Sequence, residues 1–99
     1  MYEIEVSESA LGELDRIRPH DRNPILDAIE EQLLHVPHVE TRNRKPLSGL
    51  VPPFEAVLPV WELRVGEYRV YYDFDPGEKK VRIRAVRRKF SHLSTEEIL

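Results

Sequence analysis

Arg64, Arg69, Arg82 and Arg84 sit in runs where apolar and polar residues alternate, a spacing that gathers guanidinium groups on one surface. Side chains of a strand alternate between its faces. From Trp61 to Tyr72, Trp61, Leu63 and Val65 share one face while Glu62 and Arg64 take the other. Gly66-Glu67 then supplies a tight turn, after which Tyr68, Val70 and Tyr72 share a face and Arg69 points away. In a third run, Val81, Ile83 and Ala85 oppose Arg82 and Arg84, and Arg87, Arg88 and Lys89 extend it. If the apolar sides form one core, the opposite surface collects these arginines around Glu62. A planar guanidinium grips two phosphate oxygens at once, so such a surface suits phosphate. The plainer alternative is a solvated face on which Glu62, Glu67 and Asp73 pair the arginines.

The elements that must position this face can be read along the chain. Tyr2, Ile4 and Val6 alternate as a short first strand. Ser7 or Ser9 can cap a helix from about Glu8, with Ala10, Leu11, Leu14 and Ile17 as its stripe and Pro19 as its end. Asp21 or Asn23 is expected to cap a second helix with Pro24 in its first turn, a stripe of Ile25, Ile29, Leu33 and Val36, and a stop at Pro37. Residues 37–59 hold five prolines and the basic cluster Arg42, Arg44 and Lys45, and read as a long loop. After the hairpin, Asp75-Pro76-Gly77-Glu78 marks a second turn. A slip in alternation near Ala85-Val86 predicts a bulge, and Ser94-Thr95-Glu96-Glu97 is a capping box opening a short last helix. The expected architecture is α+β: one domain over 1–99, a strand and a two-helix hairpin packed on a small, mainly antiparallel sheet with a mixed edge.

Bulk properties narrow the function classes. The net charge of −3 is unevenly spread: residues 1–41 carry 3 basic and 10 acidic side chains, whereas residues 60–90 carry 9 basic and 5 acidic. Local field counts for more in binding than the total. Cysteine is absent, which excludes disulfides and thiolate metal sites and fits a reducing, cytoplasmic location. The N-terminal Met-Tyr-Glu-Ile-Glu-Val has neither a basic region nor a long apolar run, so no signal peptide or membrane anchor is expected. His35 and His38 straddle Pro37 without further ligands, so no metal and no cofactor is expected.

Element order, Lys45-Pro46-Leu47-Ser48-Gly49-Leu50, the hairpin Trp61 to Tyr72 and the basic strand Val81 to Lys89 together resemble the RelE/ParE superfamily, the toxins of bacterial type II toxin–antitoxin pairs. The resemblance covers nearly the whole chain and is most specific at Leu63-Arg64-Val65-Gly66-Glu67-Tyr68-Arg69-Val70-Tyr71-Tyr72. It implies that Arg69 contacts a scissile phosphate and that Lys89, with Arg88 beside it, forms the basic pair ending the last strand. Glu62 stands where the nucleases carry a lysine, and His92 is the nearest counterpart of their C-terminal Tyr or His.

Metal-free RNA cleavage needs a base for the 2′-OH, in-line geometry, charge stabilisation and an acid for the 5′-oxygen. Arginines serve the third need. Glu62, His92 and Lys89 are the candidates for moving protons, with Arg69 and Lys89 against the phosphate. Arg64, Arg82, Arg84, Arg87, Arg88 and Lys45 are candidate RNA contacts, and Tyr71 or Phe90 can stack a base. The expected function is a toxin cleaving mRNA on the ribosome, held by a cognate antitoxin. The alternatives are a DNA gyrase inhibitor, or a non-toxic relative that only binds the antitoxin. No membrane partner is expected.

Overall fold

Alternating apolar residues build the centre of the sheet, and the computed structural model describes it in full, covering residues 1–99. The elements run β1 (Glu3–Val6), α1 (Glu8–Asp15), α2 (Pro19–Leu33), β2 (Arg44–Pro46), β3 (Trp61–Val65), β4 (Tyr68–Asp75), β5 (Lys80–Arg88) and α3 (Thr95–Ile98). They form a five-stranded sheet of order β1-β5-β4-β3-β2. Only β1 lies parallel to its neighbour, β5, giving the mixed edge. No helix is long and apolar enough to cross a membrane.

The hairpin pairs Trp61 with Tyr72 and Val65 with Tyr68, leaving two turn residues. Gly66 takes φ +58°, where a side chain would be strained. Ser7 caps α1 by accepting from the Ala10 N–H at 3.1 Å. Such a cap contributes about 1 kcal/mol. Ala10 and Leu14 are buried, whereas Leu11 is exposed. From α2, Ile25, Ala28, Ile29 and Leu33 join Trp61, Leu63, Val70, Tyr72, Val81 and Ile83 in the main core.

Four local expectations need correction. First, α1 stops at Asp15, and Pro19 opens α2 instead of ending α1. Its fixed φ suits the first helical position, where no N–H is needed. Pro24 therefore lies inside α2, where the buried stripe carries the helix across one missing N–H. Second, the proline-rich loop contains β2, an edge strand pairing Arg44 with Leu63 and Pro46 with Trp61. Arg44 is buried there, its guanidinium donating to the carbonyls of Gln32 (2.5 Å) and Val39 (3.1 Å). A cation on the last turn of α2 also complements the helix dipole.

Third, the bulge expected near Ala85-Val86 is present, at Arg84, and it is the face of Ala85 that needs correction. Tyr71 pairs with Ala85 while Tyr72 pairs with Ile83, so Ala85 crosses to the face opposite Val81 and Ile83. Fourth, that second face is not an open arginine surface. Ala85, Tyr71 and Val60 form a small second core, roofed by Leu47, Leu50, Phe54 and Ala56 of the long loop and by Ile98 and Leu99.

Candidate functional site

At the hairpin end the loop that roofs the second core does not reach, and the second face is open there. Here Arg64 lies opposite Arg69, and Arg69 lies opposite Arg87. Like charges directly opposite each other repel. The row is relieved at one end by an ion pair between Arg87 and Glu13. Burial pushes the Arg87 pKa down. The other Glu13 oxygen accepts from the Val86 N–H at 3.0 Å, satisfying β5 beyond the end of β1. In the middle of the row, Arg69 Nη1 donates to the carbonyls of Gly66 (3.0 Å) and Tyr68 (2.8 Å), so the turn itself orients the guanidinium.

The chain leaving β5 closes over this row. The Lys89 N–H donates to the Glu67 carbonyl at 2.7 Å, and the Leu93 N–H to that of Phe90 at 3.0 Å. The result is an open cleft of about 430 Å³ lined by Arg64, Gly66, Glu67, Arg69, Lys89, Phe90, Ser91 and His92. Phe90 is exposed, with the Arg88 guanidinium 4.9 Å from its ring centre and the His92 ring 6.2 Å away. Cations, an imidazole and an exposed aromatic ring thus converge on one surface. That set can hold a phosphate, move a proton and stack a base.

Arg64, Arg69, Lys89, Phe90 and His92 are therefore brought together, with Arg87 beside Arg69 and Arg88 on the rim, and the other candidates lie elsewhere. Glu62 is only 6 % exposed and lies under α3. Its Oε2 accepts from the Tyr71 hydroxyl and from Thr95 Oγ1, both at 2.9 Å, so its partners are hydroxyls and not the expected arginines. Tyr71 is fully buried in this network and cannot stack a base. Arg84 is spent on buried Asp73, Nε to Oδ2 at 2.7 Å. Arg82 pairs with Glu5 at 3.3 Å and Glu78 at 3.8 Å. Arg88 reaches Glu67 at 2.9 Å on the rim of the cleft. Lys45 is exposed on β2, opposite Glu62 and outside the cleft lining. Beside Arg82, the bond to Lys80 is the main cause holding the Glu5 carboxyl below its ordinary value, and the same bond raises Lys80.

Glu67 and Ser91 also line the cleft, beyond the candidates that the alternation and the resemblance point to. Glu67 had a usable signal, since it follows the turn glycine and shares the hairpin tip with Arg64 and Arg69. Ser91 had none, because the path after β5 is set by contacts distant in sequence.

The two buried phenols give the protein an alkaline limit. Burial raises the Tyr71 pKa far above its ordinary value, reinforced by the Glu62 charge, and burial likewise raises Tyr72. In the unfolded chain each phenol ionises at about pH 10. Their contribution is therefore complete below about pH 10 and falls as pH rises beyond it, by about 1.4 kcal/mol per pH unit for each tyrosine. Urea unfolding between about pH 8 and 11 should show this slope, and Tyr72→Phe should remove one tyrosine's share.

Comparisons with known proteins agree on the fold. The chain is similar to the RelBE2 toxin–antitoxin complex of Mycobacterium tuberculosis, with 22% identity, TM-score 0.69, and 89% of this chain and 98% of that chain covered. It is similar as well to the archaeal RelE–RelB complex of Pyrococcus horikoshii OT3, with 17% identity, TM-score 0.64, and 93% and 98% covered. No curated relative matches it in sequence. The model of the family described as "ParE toxin of type II toxin-antitoxin system, parDE" matches residues 4–89. With that match spanning α1, α2 and every strand from Ile4 to the end of β5, the chain belongs to the ParE toxin family, within the RelE/ParE superfamily of type II toxins.

Proposed function

We propose that this toxin cleaves mRNA on the ribosome, without a metal, and that a cognate antitoxin holds it inactive. The observation that carries the reading is the convergence of Arg64, Arg69, Lys89 and His92 on one cleft beside exposed Phe90. In this reading His92 takes the proton of a 2′-OH, and the 2′-oxygen bonds to phosphorus. Arg69, Arg64 and Lys89 stabilise the phosphorane as its negative charge develops. The bond to the 5′-oxygen breaks, that oxygen takes a proton on the opposite side of phosphorus, for which Lys89 is the remaining candidate in the cleft, and a 2′,3′-cyclic phosphate remains. An imidazole nitrogen within hydrogen-bond reach of the 2′-OH can accept its proton as the new bond to phosphorus forms. Glu67, the carboxylate of the cleft, is paired to Arg88, so the cleft offers a poor donor set for a hard divalent cation.

A second reading is gyrase inhibition, which needs no proton transfer. It is favoured by the ParE family match and by the burial of Glu62, which leaves fewer groups for acid–base work. Induction in a bacterial host, with primer extension on a reporter mRNA, separates the two. Codon-phased cuts that appear only when the message is translated are the expected result. Intact mRNA with arrested growth, and loss of supercoiling by purified gyrase, would replace it with the second reading. Intact mRNA with normal growth would mark a fold retained for antitoxin binding alone.

A further inference from the structure

The stretch between β5 and α3 carries Lys89, Phe90, Ser91 and His92 into the cleft, and it is fastened at both ends. At its start, the Lys89 N–H is held by the Glu67 carbonyl at 2.7 Å. At its far end stands Thr95, three residues beyond His92, whose hydroxyl donates to Glu62 Oε2 at 2.9 Å. α3 has only four residues, and none of them is buried. Its own capping box, Ser94 with Glu97, closes the turn locally but ties it to nothing else. Ile98 and Leu99 give partial apolar contact with the second core. The Thr95 bond is the side-chain hydrogen bond that joins this short helix to the sheet.

The other end of that bond is rigid. Glu62 lies within β3, paired to Tyr71 in β4, and the fully buried Tyr71 hydroxyl donates to the same Oε2 at 2.9 Å. A carboxylate oxygen with two hydroxyl donors has little freedom to move. We infer that Glu62 is a positioning residue: it anchors Thr95 and so fixes the Lys89–His92 segment over Arg64 and Arg69. This deepens the cleavage reading and rests on it where rate is concerned. It assigns Glu62 a structural task in place of proton transfer. A residue that holds reacting groups in place has a large effect on rate, because a shift of about 1 Å can cost on the order of a hundredfold.

The test compares Glu62→Gln, Glu62→Ala and Thr95→Val in the full chain. Two readouts are used: amide hydrogen exchange of residues 90–99, and cleavage of mRNA on translating ribosomes. Glutamine keeps an acceptor oxygen for both hydroxyls, so Glu62→Gln should keep wild-type exchange and most of the cleavage. Thr95→Val removes one hydroxyl from a partly exposed position and should not threaten folding. It should speed exchange in 90–99 and lower cleavage roughly tenfold to a hundredfold. Glu62→Ala should match it on both readouts. Should Glu62→Ala fail to fold, Thr95→Val decides. Unchanged exchange in Thr95→Val would overturn the inference. So would lost cleavage in Glu62→Gln with the segment still protected, which would make Glu62 the base. If the wild type does not cleave mRNA at all, the function proposed above fails, and exchange alone still decides whether Glu62 anchors the segment.

Discussion

Arg69→Ala should lower mRNA cleavage by on the order of a hundredfold to a thousandfold and relieve growth arrest, while the protein still folds. Arg69 is the middle member of the Arg64–Arg69–Arg87 row and only 8 % exposed. Placing three guanidinium groups side by side costs repulsion, and an anion in the cleft would repay it. The carbonyls of Gly66 in the turn and Tyr68 at the start of β4 already fix Arg69 Nη1, so its other N–H groups meet a phosphate without first losing side-chain freedom. Alanine removes this stabilisation of developing charge. It also removes repulsion within the row, which offsets the lost bonds to the turn, so the melting temperature should move by only a few degrees. Arg69→Lys should recover part of the activity, since it restores charge without the planar fork. Single-turnover cleavage on translating ribosomes measures all three proteins. Full arrest by Arg69→Ala would mean that the phosphate reading of the cleft is wrong.

Asp73→Ala should destabilise the fold by about 3 to 5 kcal/mol. Asp73 is 1 % exposed and serves three donors: Arg84 Nε at 2.7 Å, Arg84 Nη2 at 3.4 Å and the Val57 N–H at 2.8 Å. Alanine would leave a mostly buried guanidinium without its counter-charge and would free the loop that roofs the second face. In a chain of this size the loss corresponds to a fall in melting temperature of at least about 12 °C. Urea unfolding of the single variant and of Asp73→Ala with Arg84→Met separates the causes. Removing both charges should cost much less than removing Asp73 alone, since no unpaired charge remains. Equal losses would locate the effect in the Val57 bond and the loop.

Such pairings explain why the arginines were legible as a face but not as a site. Alternation in β3, β4 and β5 shows which side Arg64, Arg69, Arg82 and Arg84 take. It cannot show that Arg82 meets Glu5 and Glu78, that Arg84 meets Asp73, or that Arg87 meets Glu13. Glu5, Asp73 and Glu13 come from three other elements, β1, β4 and α1, brought near by parallel pairing, by the bulge at Arg84 and by helix packing. Of the candidate arginines, Arg64 and Arg69 remain without a carboxylate partner in the cleft. The second core was hidden for a related reason. Leu47, Leu50, Phe54 and Ala56 show no helical or strand period, so nothing local says that they cover Tyr71 and Ala85.

What the residues determine by themselves is local: the Gly66 turn, the hairpin register, a serine cap for α1 at Ser7 or Ser9, the Ser94 capping box and two amphipathic helices. Each follows from side-chain period, capping chemistry or backbone freedom over a few neighbouring positions. What only the tertiary structure decided is which charges are spent and which are left. Ion pairing and burial depend on distances between elements far apart in sequence, and those distances exist only once the sheet has formed. Glu62 therefore moved from the cleft to the support beneath it, and four residues out of a broad basic surface were left to face one open cleft.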